Sequence, residues 1–180
     1  MKKRRFSTTR LCRAGVIAAL YTSLTYAFGA LSYQGFFQIR PAEALCILPL
    51  FYVEAIPALY VGCMLSNLTS PFFMYDVFLG SLATLLAAVV TYMVGVFIKN
   101  EKGKLLLGGL PPVLFNALII PLIIVFLCDG ATTDSVWTSY LLYAASLFVT
   151  ECVWVYALGT PFYAFIRRMR QKNVSVFLER

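Results

Sequence analysis

Residues 32–53 read SYQGFFQIRPAEALCILPLFYV, and this stretch decides how the rest of the chain is arranged. It begins as a polar and aromatic loop and continues, after Arg40 and Pro41, as an apolar run. Every other Lys or Arg of the chain lies in one of three clusters, at residues 2–13, 99–104 and 167–180. A charge that stands alone beside an apolar run needs a partner or a ligand. Arg40 is therefore the residue that the fold has to explain.

The composition defines the class of protein. Of the 180 residues, 61% are apolar and 13% are charged, which is far from the average of soluble domains. We predict an all-α integral membrane protein with one domain, residues 1–180. The net charge of +7 comes from clusters beside apolar runs, so the expected partner is the lipid bilayer and not a nucleic acid. The five cysteines have no CxxC spacing and the chain has no His, so we expect no metal site and no cofactor.

The positive-inside rule predicts the number of membrane crossings. If the apolar run at residues 41–68 crosses twice, all three basic clusters lie on the cytoplasmic side and Arg40 alone lies on the other. We therefore predict six transmembrane helices in one bundle, with both termini cytoplasmic. The predicted spans are residues 11–31, 41–53, 57–68, 77–98, 105–127 and 137–166.

The second and third predicted spans are unusually short. At the rise of an α-helix each is about 20 Å long, whereas the hydrocarbon core of a bilayer is about 30 Å thick. Such helices are tolerated where they are tilted, enclosed by protein or lining a cavity. Their shortness predicts an outward-facing pocket on the side of Arg40. A re-entrant hairpin is the alternative arrangement.

The first apolar run, residues 14–31, is long enough to be a retained helix and not a cleaved signal peptide. Ala14 with Ala18, and Gly15 with Ala19, place small residues one helical turn apart, which lets another helix approach closely. Two interpretations stay open. The small residues pack inside the same bundle, or they dock a partner subunit.

Polar side chains converge on the entrance of the second predicted span. Pro41 suits a first helical position and Glu43 favours a helix start, so helix capping is one interpretation. Capping leaves the neighbouring amides and the aromatic residues Tyr33, Phe36 and Phe37 unexplained, whereas a flat ligand would stack on the rings and be bound at its edges. The candidate ligand-binding residues of this stretch are Gln34, Gln38, Arg40 and Glu43.

Further polar residues lie inside or beside later apolar segments. A carboxylate near the centre of a bilayer is costly unless it is paired or faces water, so Glu151 is either a site residue or structural glue between helices. Asn116 has the same two interpretations. At the outer end of the third span, the additional candidates for closing the pocket are Asn67, Tyr75 and Asp76.

Two motifs carry a family resemblance. GFFQIRPAEAL at residues 35–45 and EAIPALYVGCMLSNL at residues 54–68 resemble the queuosine-precursor transporter family of the QueT type. The resemblance covers nearly the whole chain. It implies a substrate-binding S component of an energy-coupling factor (ECF) importer in the bacterial plasma membrane, which works with a membrane coupling subunit and two ATPase subunits. Ala14 and Ala18 match the AxxxA pattern through which such components dock the coupling subunit.

The resemblance also implies the substrate, a 7-deazaguanine such as 7-aminomethyl-7-deazaguanine or queuine. A carboxylate can accept from the adjacent N–H groups of a guanine-like edge, and Arg, Asn or Gln can donate to its carbonyl. No phosphate-binding loop and no paired nucleophile and base occur in the sequence, so we expect no enzymatic activity in this chain. The alternatives are an S component for another vitamin-like molecule and a stand-alone secondary carrier.

Overall fold

The computed structural model describes residues 8–33, 37–133 and 135–174. Within these ranges the chain is helical and contains no strand. Short π-helical or 3₁₀ turns extend or interrupt several helices, which we number as continuous units. The six helices are α1 (Thr8–Ser32), α2 (Pro41–Leu50), α3 (Ala55–Thr69), α4 (Phe73–Phe97), α5 (Glu101–Leu127) and α6 (Val136–Gln171).

Four of the helices are long and apolar enough to cross a membrane. These are α1, α4, α5 and α6, with 25, 25, 27 and 36 residues. Their outer faces carry exposed apolar side chains, such as Leu82, Leu86 and Val90 at four-residue intervals on α4. An apolar surface of this extent suits contact with lipid. The prediction of an all-helical membrane protein is confirmed, whereas the six crossings and the side of the termini stay predictions.

Helix α2 lies at the centre of the bundle. It is a 3₁₀ helix in which all ten residues are buried, with Pro41 at its first position and Pro49 inside it. It contacts α1, α4, α5 and α6. At a rise of about 2.0 Å per residue it is roughly 20 Å long, shorter than a bilayer core. Because protein encloses it, its backbone and side chains do not have to be compatible with lipid along that length.

Close backbone packing fixes the end of α2. A Cβ atom on Gly95 of α4 would lie 2.9 Å from both the Cα and the carbonyl oxygen of Leu50. Only a residue without a side chain permits this approach. One turn earlier on α4, the Thr91 hydroxyl donates to the carbonyl oxygen of Gly108 on α5 over 3.0 Å. This hydrogen bond ties α4 to α5. The last residue of α2 is thus locked against its neighbours.

Basic and aromatic residues meet at one end of the bundle. Arg13, near the start of α1, forms an ion pair with Glu54, just before α3. The Arg13 guanidinium carbon lies 4.1 Å from the centroid of the Tyr52 ring, and that of Arg170, near the end of α6, lies 5.9 Å from the same centroid. We refer to this as the basic end. Arg40 directly precedes α2 at the opposite end.

The small residues of α1 divide between two surfaces. A Cβ atom on Gly62 of α3 would lie only 3.0 Å from the carbonyl oxygen of Ala18, so α1 and α3 touch at this point. Ala14 and Ala18 are half-buried against the core, whereas Gly15 and Ala19 are exposed. Packing inside the bundle therefore accounts for Ala18. Docking of a partner stays a prediction, and Gly15 and Ala19 are the members of the set on the outer face.

Candidate functional site

A small enclosed cavity lies at the end of the bundle opposite the basic end. The centre of a water molecule can occupy a volume of about 10 Å³ inside it. It lies where the end of α1, the loop before α2, the end of α3, the start of α4 and the last turns of α5 converge. We name it the polar chamber, and its lining residues are Tyr33, Gln38, Arg40, Cys63, Asn67, Phe72, Asp76, Gly80, Ile120 and Ile124.

The loop before α2 is held at both of its ends, which positions Gln38 and Arg40. The Ile39 backbone N–H donates to the Leu31 carbonyl oxygen over 3.0 Å. The Ser32 hydroxyl donates to the Ile39 carbonyl oxygen over 3.1 Å. From the far side of the bundle, the indole N–H of Trp154 donates to the Gln38 carbonyl oxygen over 3.1 Å. The chain therefore returns into the bundle at a defined angle and directs its next residues towards the chamber.

Arg40 and Glu43 form a buried ion pair. Arg40 Nη2 lies 3.2 Å from Glu43 Oε1. The Tyr21 hydroxyl donates to the same oxygen over 2.6 Å, and the Cys46 thiol donates to Glu43 Oε2 over 3.1 Å. Both oxygens of the fully buried Glu43 carboxylate are therefore engaged, and its role in this arrangement is to hold Arg40. Arg40 Nε has no hydrogen-bond partner among the described residues.

Asn67 and Asp76 form the opposite wall of the chamber. Asp76 opens a π-helical turn, Asp76–Gly80, at the start of α4 and is 8% exposed. The Ser70 hydroxyl donates to Asp76 Oδ2, and Asn67 Nδ2 donates to the Asp76 carbonyl oxygen over 2.7 Å. Asp76 Oδ1 accepts no hydrogen bond from any described residue. One carboxylate oxygen is thus anchored and the other is left available.

Asn116 and Glu151 pair with each other between α5 and α6. Asn116 Nδ2 donates to Glu151 Oε1 over 3.0 Å, and both side chains are buried. This hydrogen bond joins the two helices, which is the structural interpretation of these residues in the sequence analysis. Neither residue lines the chamber. Glu151 nevertheless interacts electrostatically with Arg40, and its Oε2 has no partner within the described part of the chain.

Among the described residues, Arg40, Asp76 and Glu151 are three of the buried side chains that carry an unpartnered polar atom, and Glu54 and Ser81, which do not line the chamber, are others. Buried polar atoms without a hydrogen bond are rare in native proteins because each costs the free energy of desolvation. Two of the three groups line one cavity, and that cavity has room for about one water molecule. The arrangement provides a donor and acceptors for a polar molecule in a closed chamber.

The remaining predicted residues are distributed differently. Tyr33 lines the chamber, and burial raises the pKa of its phenol, which donates to the Ser66 carbonyl oxygen over 2.6 Å. Phe37 and Tyr75 are exposed, at 72% and 41%, and neither lines the chamber. Tyr75 is a candidate for closing the pocket by its position in the sequence, but its side chain does not line the chamber. Gln34 and Phe36 fall outside the described residues.

Sequence reasoning missed several residues of the site. Phe72 and Cys63 line the chamber, Ser70 anchors Asp76, and Trp154 holds the loop. A signal for Trp154 existed, because it lies three residues after Glu151 and so on nearly the same helical face. Phe72 and Cys63 lie among other apolar residues, and nothing in their local sequence distinguishes them.

Local π-helical turns accompany the site on three helices. They occupy Asp76–Gly80 in α4, Ile123–Leu127 in α5 and Val153–Leu158 in α6. The first two contribute chamber-lining residues and the third contains Trp154. A π turn inserts one extra residue per turn and rotates the following side chains, and such turns are frequent at functional sites. Asp76 is the first residue of the turn in α4, and Trp154 is the second residue of the turn in α6.

An apolar, all-helical bundle with four helices long enough to cross a membrane is a multi-pass membrane protein. The family model described as QueT transporter matches residues 11–168. The chain therefore belongs to the QueT transporter family, and it is a membrane transport protein for a queuosine precursor. The bacterial plasma membrane predicted from the sequence agrees with this family. Neither the comparison with curated proteins nor that with solved structures found a match.

Proposed function

We propose that this chain is the substrate-binding S component of an ECF-type importer. It captures a 7-deazaguanine queuosine precursor from the side of Arg40 and delivers it together with a membrane coupling subunit and two ATPase subunits. The observation that carries the proposal is the chamber, in which Arg40 and Asp76 each present an unpartnered polar atom inside an apolar bundle. A rigid heterocycle with donors on one edge and an acceptor on the other matches such a pair.

The chemistry assigns complementary roles to the two walls of the chamber. Asp76 Oδ1 accepts from the N–H groups of the guanine-like edge through its two lone pairs, while Oδ2 keeps its hydrogen bond from Ser70. On the opposite wall, Arg40 donates to the exocyclic carbonyl, with the amide of Gln38 as a further donor. Tyr33 and Phe72 supply aromatic faces against which the bicyclic ring stacks.

A cationic amine on the precursor needs a second carboxylate. Glu151 has one oxygen held by Asn116 and one without a partner, and it lies within electrostatic reach of Arg40. A buried carboxylate is costly in an apolar interior, and an ammonium group beside Glu151 would neutralise its charge. We assign the donor edge of the base to Asp76 and the amine to Glu151.

Capture requires part of the chamber wall to move. Small-molecule pockets typically measure about 300–1,000 Å³, whereas the chamber holds about 10 Å³. The part of the wall with the least regular secondary structure is the connection between α3 and α4, which contains Ser70 and Phe72. Displacing Phe72 would open the chamber beside Asp76. Binding is then expected to proceed by induced fit, with closure after the base enters.

Calorimetry on the purified full chain in detergent tests the binding role. We expect one equivalent of 7-aminomethyl-7-deazaguanine or queuine to bind without partner subunits. Asp76→Asn should weaken binding by at least about tenfold, because a hydrogen bond to a charged group contributes about 1.5–3 kcal/mol. The matched control is Asp129→Asn, the same change at an exposed residue after α5. Absence of binding to every deazapurine, or equal losses in both variants, would refute the assignment.

Transport assays test the dependence on partner subunits. Liposomes that contain this chain alone should not accumulate substrate, and accumulation would favour the stand-alone carrier. A Cβ atom on Gly15 would meet nothing within 4 Å, so Gly15→Leu should leave the fold and substrate binding intact. We expect the variant to lose uptake with the coupling complex. Ala27→Leu, at another exposed position of α1, controls for added volume, and unchanged uptake in Gly15→Leu would exclude this docking face.

A further inference from the structure

A second and larger depression lies at the basic end, far from the polar chamber. It is a groove of about 590 Å³ between the start of α5 and the end of α6. Its lining residues include Lys102, Leu105, Tyr163, Ala164, Arg167 and Arg168. The transport role proposed above uses none of them.

The groove carries an excess of positive charge. Three cations line it, and Glu101 is the one acidic residue among its lining residues. Glu101 is already engaged, because the Tyr163 hydroxyl donates to its Oε2 over 2.6 Å and Arg167 Nε lies 3.7 Å from the same oxygen. Within residues 8–33, 37–133 and 135–174, Lys102 and Arg168 have no acidic partner. Two cations therefore remain available to an anion.

The groove is also amphipathic and lies at the depth of a membrane surface. Leu105 and Ala164 form an apolar part of its wall, one turn or less from the cations. It sits where the apolar helices α5 and α6 begin and end, which is where lipid headgroups meet the acyl chains. A soluble anion would use only the cations, whereas a phospholipid would also use the apolar wall.

We infer that this groove binds the headgroup of one anionic phospholipid. Lys102 and Arg168 bind its phosphate, Arg167 contributes when Glu101 does not hold it, and Leu105 and Ala164 contact the first segment of an acyl chain. Basic pockets between transmembrane helices bind anionic headgroups in this way. The lipid bridges α5 and α6 at the end where Tyr163 and Arg167 of α6 contact Glu101 of α5.

Native mass spectrometry of the full chain in detergent, titrated with phosphatidylglycerol or phosphatidylcholine, tests the inference. We expect one tightly retained phosphatidylglycerol and at least about tenfold weaker retention of phosphatidylcholine, since each cation near an anionic lipid contributes appreciably. The double variant Lys102→Gln/Arg168→Gln should weaken phosphatidylglycerol binding by about tenfold or more. The control is Lys99→Gln/Lys172→Gln, which removes the same charge from exposed residues outside the groove.

A variant that should strengthen lipid binding separates a binding role of these charges from a structural role. Glu101→Gln releases Arg167 and removes the acid of the groove, so it should tighten phosphatidylglycerol binding several-fold. Three outcomes would overturn the inference: equal affinities of the double variant and its control, unchanged or weaker binding in Glu101→Gln, or displacement of the lipid by inorganic phosphate at a similar concentration. The last result would identify a soluble anion as the ligand.

Discussion

The polar chamber and the groove at the basic end treat charge in opposite ways. At the chamber end, Arg40, Glu43 and Asp76 are at least nine-tenths buried and lie in a network of defined hydrogen bonds. At the basic end, the Arg167 and Glu101 side chains are 49% and 43% exposed and 3.7 Å apart. The chamber keeps its charges where water cannot solvate them, whereas the groove keeps its charges at the surface, although the Arg13–Glu54 pair at the same end is buried.

The difference teaches where binding specificity can reside. A buried charge is costly, so its partners must be in place and an unpartnered atom implies a ligand or a water molecule. An exposed ion pair contributes little and adapts to its surroundings. We therefore expect substitutions at the chamber end to have large and specific effects. Substitutions of the exposed charges in the groove should have small effects that depend on salt.

The largest effect is expected from Arg40→Met. It leaves the Glu43 carboxylate buried without its counter-ion, so the free energy of unfolding should fall by about 3–5 kcal/mol. The double variant Arg40→Met/Glu43→Gln should recover most of that loss. Unfolding in detergent measures both, with Arg167→Met as the matched variant of the basic end, which we expect to lose less than about 1 kcal/mol. Similar losses in Arg40→Met and Arg167→Met would remove the distinction between the two ends.

Backbone packing, and not charge, should dominate stability near the end of α2. Gly95→Ala places a methyl group 2.9 Å from the Leu50 backbone, which cannot move aside easily. The expected loss in the free energy of unfolding is about 1–3 kcal/mol, typical of overpacking. Gly103→Ala is the control, because its nearest neighbour would be Ile98 Cγ2 at an ordinary 3.6 Å. Equal stability of the two variants would show that α2 tolerates displacement.

A smaller effect is expected from Gly80→Ala in the chamber wall. The added Cβ atom would lie 3.2 Å from Asn67 Nδ2 and 3.8 Å from the Asp76 Cβ atom. Asn67 must shift, and we expect substrate affinity to fall by roughly fivefold, or about 1 kcal/mol. Calorimetry measures the affinity and thermal unfolding controls for the fold. Undiminished affinity in a folded variant would place the base away from Asn67.

The smallest effect is expected from salt at the basic end. Glu101→Gln removes the exposed pair with Arg167 and should cost less than about 1 kcal/mol of unfolding free energy at low salt. Raising ionic strength from about 0.1 to 1 M shortens the Debye length from about 10 to 3 Å and should erase even that difference. Unfolding of the wild-type chain and the variant at both salt concentrations provides the measurement. A difference in unfolding free energy that persists in 1 M salt would indicate that this pair is shielded from solvent, as the Arg40–Glu43 pair is.

Much of the architecture could be predicted because it depends on local properties. Hydrophobic runs indicate membrane helices, and the isolated position of Arg40 indicated a special environment at that end of the chain. The i,i+3 pair of Arg40 and Glu43 was also accessible, since residues at that spacing are neighbours on a helix. For Glu43, the geometry favours pairing with Arg40 over direct contact with a ligand.

The contents of the site were less predictable because they depend on contacts between distant parts of the chain. Tyr21 meets Glu43 from 22 residues away, and Asn116 meets Glu151 from 35. Tyr75 and Asp76 are adjacent in the sequence but face opposite ways. At a helix start that contains a π turn, the sequence does not specify which of two neighbours points inward.

The sequence by itself determined that this chain is a helical membrane protein of the QueT type, with one charged residue set apart from the basic clusters. These properties follow from composition, charge placement and motifs, which are visible in the sequence without knowledge of the contacts. Only the tertiary structure decided that α2 is fully enclosed and that Glu43 is already satisfied. It also decided that Arg40 and Asp76 present free polar atoms to one chamber. The physical reason is that burial and hydrogen-bond satisfaction are properties of packed surroundings, and α1, α3, α4, α5 and α6 together supply those surroundings.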